Sequence, residues 1–204
     1  MNSISGYTTT VVAKTQARIS RRDQVADAAL RVLGESGSRG LTHRAVDAAA
    51  GVPEGTTSNY FRTRSSLLEA ALALHVELDT PPEAALTGIA DLELSDAEAL
   101  ELMMVTIVRL LESANRSMLK ARYELVLESS RHPELHETFE PARERFVGLA
   151  EALLSARGCA QPRKHAKQLV VVMDGVLLDA VLGAATTLDR DEIRDLLARQ
   201  LESC

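Results

Sequence analysis

Tryptophan is absent from this 204-residue sequence, and three Tyr and three Phe supply all of its aromatic rings. Its core must therefore be aliphatic; hydrophobic residues at 46% provide for one sizeable core or a small domain fused to a larger one. Cysteine occurs only at Cys159 and Cys204. Two cysteines are too few for a disulfide framework or a cysteine-based zinc site, and they fit a reduced cytosolic setting. Long uncharged apolar runs are missing too. The nearest, Leu169 to Ala185, contains Asp174 and Asp179, each costing about 2.5–3.5 kcal/mol at a bilayer centre. The start of the sequence lacks the basic stretch and apolar core of a signal peptide, so a soluble, cytoplasmic chain with no membrane partner is expected. Positive charge is in short supply, with 23 Lys/Arg against 29 Asp/Glu and a net charge of −6. At face value this argues against nucleic acid as a partner.

Catalytic signatures are missing as well. There is no phosphate-binding glycine loop, no Gly-x-Ser-x-Gly elbow and no His-Glu-x-x-His. His132 and His136 are four residues apart, but Pro133 between them marks a helix start and no third ligand stands nearby. Neither an enzyme, a metal site nor a cofactor is expected.

What remains is helical signal, with no strand-like alternation and no internal repeat; the fold class is all-α. Residues 1–19 are rich in Ser and Thr and read as a disordered arm, whose Lys14 and Arg18 could reach a minor groove or simply trail in solvent. Ser20 and Asp23 open a helix carrying Val25, Ala29 and Val32. Thr42 caps a short helix to Ala50 that Gly51 ends. A second short segment spans Pro53 to Phe61, and Thr63 caps a longer helix to Leu78. Asp79-Thr80-Pro81-Pro82 begins a linker over residues 79–94 with one short helix. Ser95 and Glu98 form a capping box for a helix with Leu102, Thr106 and Leu110 on one face. Arg116 to Ser130 is the next helix. Phe139, Ala142, Phe146, Leu149 and Leu153 then form an apolar seam ending at Gly158, with Pro141 marking a kink or restart. Pro162 to Ala185 is apolar nearly all round, and Asp189 with Glu192 caps a last helix bearing Ile193, Leu196, Leu197 and Leu201.

The stretch Leu41 to Phe61 has helix-turn-helix arithmetic: a short helix ending in small residues, a glycine turn, and a second short helix at once. Gly55 reads as a residue inside that second helix, at a cost of about 1 kcal/mol. Thr56, Thr57, Ser58 and Asn59 are short hydrogen-bonding side chains suited to base edges in a major groove. Arg64 stands in the first turn of the next helix, where the dipole disfavours a cation. A phosphate held there with the help of Tyr60 would relieve that conflict.

Residues about 21–68 resemble the DNA-binding domain of the TetR family of bacterial transcriptional regulators, through Gly51-Val52, Gly55-Thr56, Tyr60-Phe61, Arg62-Thr63-Arg64 and Leu67-Leu68. Pro53, Thr57 and Ser58 depart from the family's usual residues. The resemblance implies Thr42, Tyr60 and Arg64 as phosphate contacts, and Arg44, Thr56 and Asn59 as base contacts. Thr42 serving only as a cap, and His43 as plain surface, are the competing readings. It also implies an N-terminal three-helix DNA-binding domain, spanning 20–78 with its connecting helix, followed by a helical effector-binding and dimerisation domain (79–204), acting on a double-stranded DNA operator as a homodimer, most often as a repressor released by a small molecule. A helical adaptor using the same motif for protein contacts is the alternative.

The dimer interface is placed on the last two helices, 162–203, because a helix apolar all round must be covered on both sides; a helix buried centrally within one subunit is the rival reading. Met103, Met118, Arg122, Tyr123 and Asp174 are the candidate effector contacts: adaptable apolar surface and directional polar groups. Asp174 could bind a cationic inducer or make an intersubunit hydrogen bond. Division of the charge at residue 64 changes its meaning. Residues 1–64 carry nine Lys/Arg against five Asp/Glu, and residues 65–204 carry fourteen against twenty-four. The basic excess sits on the segment assigned to DNA, and the acidic body favours end-on docking through it.

Overall fold

The computed structural model describes residues 20–80, 83–112, 116–183 and 187–204. The proposed arm at 1–19 and the Pro81-Pro82 stop lie outside them, and the apolar helix expected to reach Ala185 ends at Leu182, where Gly183 caps it with a left-handed backbone. Among the described residues ten helices and no strand occur. They are α1 (Arg21–Gly40), α2 (His43–Ala50), α3 (Thr56–Tyr60), α4 (Arg64–Asp79), α5 (Glu83–Ala90), α6 (Asp96–Leu111), α7 (Arg116–Ser129), α8 (Pro133–Ala156), α9 (Pro162–Leu182) and α10 (Arg190–Glu202).

Side chains mark most starts as the sequence anticipates. Ser20 accepts from the Asp23 amide, and Thr42 from that of Ala45. Thr63 with Ser66, Ser95 with Glu98, and Asp189 with Glu192 form reciprocal capping boxes. Two readings need correction. Pro141 does not restart its helix: α8 runs from Pro133 to Ala156 with the proline inside it. The buried face of α6 is Ala99, Met103, Met104 and Ile107, whereas Leu102 and Thr106 face solvent. A stripe chosen by apolar spacing can be turned by one position when neighbours on either side are equally apolar.

Two aliphatic cores result. The first joins Val25, Leu30, Leu33, Val46, Phe61, Leu67 and Leu72 from α1 to α4 with Ala121, Leu125, Leu135 and Phe139 of α7 and α8. The N-terminal helices are thus closed off by side chains from beyond residue 78. The second core gathers α6, α9 and α10 with parts of α7 and α8. Helix α1 reaches α7 because Gly34 lacks a side chain: a Cβ there would stand 2.1 Å from the Ser117 carbonyl oxygen. Gly34→Ala should therefore force α1 from α7 and cost about 1–3 kcal/mol, read as a fall of several degrees in the thermal midpoint. An unchanged midpoint would contradict this packing.

The cysteines depart from the expected reduced pair. Cys159, in the α8–α9 turn, and Cys204, just past α10, form a disulfide with a Cα–Cα distance of 5.2 Å. A separation of 45 residues carries no local signal for this pairing. No helix among the described residues is long and apolar enough to cross a membrane.

Candidate functional site

The helix-turn-helix is assembled around a carboxylate. Asp47 lies on α2, only 3% exposed, and its two oxygens accept from the Gly55 amide at 2.8 Å, the Thr57 amide at 2.7 Å and the Thr57 hydroxyl at 2.5 Å. Burial alone would raise its pKa. The Thr57 hydroxyl, the two amides and the charge of His43 outweigh that effect and hold the carboxyl below its ordinary value. Asp47 thereby does for α3 what a capping side chain does for a longer helix. At five residues α3 is too short to persist alone.

Gly55 is accordingly not inside the recognition helix. It is the N-cap, with φ at +89° and open space where a Cβ would stand. Glycine is required there by the left-handed backbone rather than by close approach to another surface. Thr57 also needs correction as a base contact: it is 0% exposed, turned inward onto Asp47. Its departure from an apolar residue is matched by a polar partner in the core.

Arg44, Ser58, Asn59 and Tyr60 are exposed along α2 and α3, and Thr56 is half-buried. The Thr56 hydroxyl donates to the Pro53 carbonyl at 2.6 Å, and the Ser58 hydroxyl to that of Gly55 at 2.9 Å. Thr42 is the cap of α2 and is exposed. His43 is no surface residue alone, since its Nε2–H donates to the Phe61 carbonyl at 2.6 Å and ties α2 to the end of α3.

The conflict at Arg64 is resolved within the chain. Its Nη2 donates to the carbonyl and hydroxyl oxygens of Ser38, each at 2.6 Å. Ser38 in turn donates its amide to Glu124 at 2.9 Å and its hydroxyl to Glu128, both on α7. This corner joins the start of α4, the end of α1 and the body of the protein. The guanidinium assigned to phosphate is already engaged in holding it.

Above the helix-turn-helix, α4 ends in a second polar cluster. Arg122 of α7 donates to Asp79 at 2.5 Å and to Asp174 of α9 at 3.1 Å, and Arg143 of α8 donates to the other Asp174 oxygen at 2.9 Å. The Arg122 guanidinium also lies 5.5 Å from the Phe146 ring centroid and 5.9 Å from that of Phe139, a cation–π geometry. Tyr123 donates to the Asp174 carbonyl at 2.8 Å; burial and the Asp174 charge push its phenol up to about 12, so it stays a donor. His75 is buried beside the cluster with neither ring nitrogen hydrogen-bonded. Burial depresses its pKa; Asp79 opposes this and Arg122 adds to it.

Three sequence candidates, Arg122, Tyr123 and Asp174, therefore converge. Met103 and Met118 do not: Met103 is buried in the second core and Met118 packs on the first. The cavity at the cluster is instead lined by His75, Asp79, Arg122, Phe139, Arg143 and Phe146 among others, and its volume of about 10 Å³ has room for about one water. Asp79 and His75 escaped the sequence reading because they fall on the DNA-side helix. A carboxylate two residues before a proline pair reads as a linker.

On α9, Val171, Gly175, Leu178 and Leu182 form one exposed stripe, Val171 at 60% and Leu182 at 71%. The exposed positions of α10 are polar or charged.

A helix-turn-helix presented at the end of an all-helical body that holds a polar cluster over aromatic rings defines a DNA-binding regulator with a ligand-binding domain. Residues 25–71 match the family model described as bacterial regulatory proteins, tetR family, and residues 95–203 that of the tetracyclin repressor-like C-terminal domain. The chain belongs to the TetR family of transcriptional regulators. Among solved structures, the multidrug binding protein EbrR complexed with ethidium is 32% identical with a TM-score of 0.65, covering 90% of this chain and 99% of EbrR. A TetR-family member from Streptomyces coelicolor A3 is also 32% identical, with a TM-score of 0.64 over 89% of this chain and 98% of its own. A transcriptional regulator from Rhodococcus sp. Rha1 shares the fold at 20% identity, with a TM-score of 0.71 over 90% and 95% of the two chains. None of the curated proteins compared with it matches the chain.

Proposed function

We propose that the chain is a cytoplasmic, homodimeric repressor that grips a pseudo-palindromic operator and lets go when a planar organic cation enters the domain above. The observation that carries this reading is the bridge from Asp79, at the end of α4, through Arg122 to Asp174 on α9. Helix α4 starts at the Arg64–Ser38 corner and ends in the ligand-domain cluster. Displacing Arg122 therefore releases the ligand-domain end of the helix whose other end adjoins the DNA reader.

Charge supports the ligand class. With Arg122 withdrawn, Asp79 and Asp174 face Arg143 alone, over the rings of Phe139 and Phe146. That is a negatively biased aromatic site, suited to a flat cation. Arg122 currently fills the place such a ligand would take, since drug-sized ligands need roughly 300 Å³ or more. Ethidium, the ligand named for EbrR, is the natural first probe. The unpartnered α9 stripe of Val171, Gly175, Leu178 and Leu182 supports pairing with a second copy. A dimer would set two recognition helices about one DNA turn apart, or a multiple of it. The polar outer face of α10 puts more of the apolar contact on α9 than on α10.

The test is a duplex selected by the wild-type chain from a random pool. Binding should weaken steeply with salt, through counterion release. Asn59→Ala should relax sequence preference, narrowing the gap between selected and scrambled duplexes by about 1–3 kcal/mol at the position it reads. Unaltered affinity and preference in Asn59→Ala, or binding indifferent to salt, would overturn the assignment.

A further inference from the structure

Apart from both sites, His165 on the first turn of α9 stands between the two cysteines. Its Nδ1 lies 3.2 Å from Cys159 Sγ and 3.0 Å from Cys204 Sγ, and the three donor atoms fall within 4.8 Å of one another. Cys159 is 9% exposed and Cys204 is more accessible. A disulfide by itself needs no imidazole against both sulfurs. A dithiol does gain from one, because a nearby imidazole favours the thiolate, the form that reacts with oxidants.

We propose that Cys159, His165 and Cys204 form an oxidant-sensitive thiol site, whose substrate class is hydrogen peroxide or an organic hydroperoxide. His165 takes the proton of the accessible Cys204 thiol. The thiolate attacks one peroxide oxygen and the O–O bond breaks. Cys204 becomes the sulfenic acid, and the leaving oxygen takes up the proton to depart as water or an alcohol. The Cys159 thiol then attacks the Cys204 sulfur, forming the S–S bond, while its proton joins the departing hydroxide as water. Two thiols lose two electrons in all, and one peroxide gains them. In a reduced cytosol the pair rests as thiols. Oxidation ties the end of α10 to the α8–α9 turn, both of them packed on the second core.

The test uses the full chain, reduced and freed of reductant. About one equivalent of hydrogen peroxide should remove both free thiols, lower the intact mass by two hydrogens, and leave the chain monomeric on a non-reducing denaturing gel. The thermal midpoint should rise by about 5–10 °C on oxidation and fall back with dithiothreitol. His165→Asn should slow thiol loss at pH 7 about ten-fold or more, whereas His136→Asn, an exposed control, should not. The unmutated reduced chain offers a second measurement. Its alkylation by iodoacetamide should persist at pH 6.5, where an ordinary thiol reacts roughly fifty-fold more slowly than at pH 8.5. Thiols that survive peroxide, disulfide-linked dimers, or an ordinary alkylation profile would each overturn the proposal. So would stoichiometric uptake of zinc by the reduced chain with both thiols then inert to peroxide, an outcome that would make the cluster a metal site.

Discussion

Asp47→Ala should abolish specific operator binding, with a loss of about 100-fold or more, while leaving the helical body folded. The carboxylate accepts three hydrogen bonds from the segment that begins α3, and its removal strands the buried amide and hydroxyl of Thr57 and the half-buried amide of Gly55. Orphaned donors of this kind cost about 1–3 kcal/mol each, offset where the short helix frays and water reaches them. A local cost of about 2–4 kcal/mol exceeds what a five-residue helix can hold, and converts to roughly the stated loss of affinity. Electrophoretic mobility shift of the selected duplex gives the affinity; circular dichroism checks that the body remains helical. Full operator binding by Asp47→Ala would show that α3 does not depend on this cap.

The same residue has a pH signature. Its folded pKa lies below the ordinary value, so the unfolded chain binds the proton more tightly, and the stability it contributes is complete above about pH 4. That contribution is lost as pH falls through the lower folded value. Urea midpoints should therefore differ between wild type and Asp47→Asn by a constant amount from pH 8 to about pH 5. The difference should shrink in stronger acid, and a gap that widens in acid would contradict the sign.

Arg122→Ala should separate ligand binding from ligand response. The side chain makes two ion pairs from a mostly buried position, with Asp79 and Asp174. Breaking a buried pair costs about 3–5 kcal/mol, less here because Asp174 keeps Arg143 and both carboxylates retain some solvent. A loss of about 2–3 kcal/mol lowers the thermal midpoint by roughly 4–12 °C. Meanwhile Phe139 and Phe146 lose their resident cation. Ethidium should bind about ten-fold more tightly, the return of a cation–π contact worth about 1–2 kcal/mol, while operator affinity ceases to respond to it because the link to Asp79 is gone. Fluorescence titration and the mobility shift measure the two effects separately. Wild type and variant that both ignore ethidium would overturn the ligand class; a variant that still releases the operator would overturn the route through Asp79.

The elements most legible from residue order alone are those set by near neighbours in the chain. Ser95 with Glu98, and Asp189 with Glu192, announce helix starts because a cap and its partner lie within one turn. Gly51, Gly55 and Tyr60-Phe61 mark the DNA reader through their fixed spacing, and the charge division at residue 64 follows from counting. The buried-versus-exposed choice on α6 was not legible. Met103 and Leu102 are equally apolar, and only the neighbouring helices select between them.

Contacts between distant segments lie beyond that horizon. Thr57 turns inward because Asp47, ten residues earlier, folds beneath it; Arg64 is taken by Ser38, 26 residues earlier. Asp79, Arg122 and Asp174 meet from three helices, as do the two cysteines across 45 residues. The scarcity noted at the outset acquires its meaning here. With six aromatic rings in the whole chain, placing two of them around one guanidinium is a choice made by packing, since pattern carries periodicity along a helix but not the identity of the helix opposite.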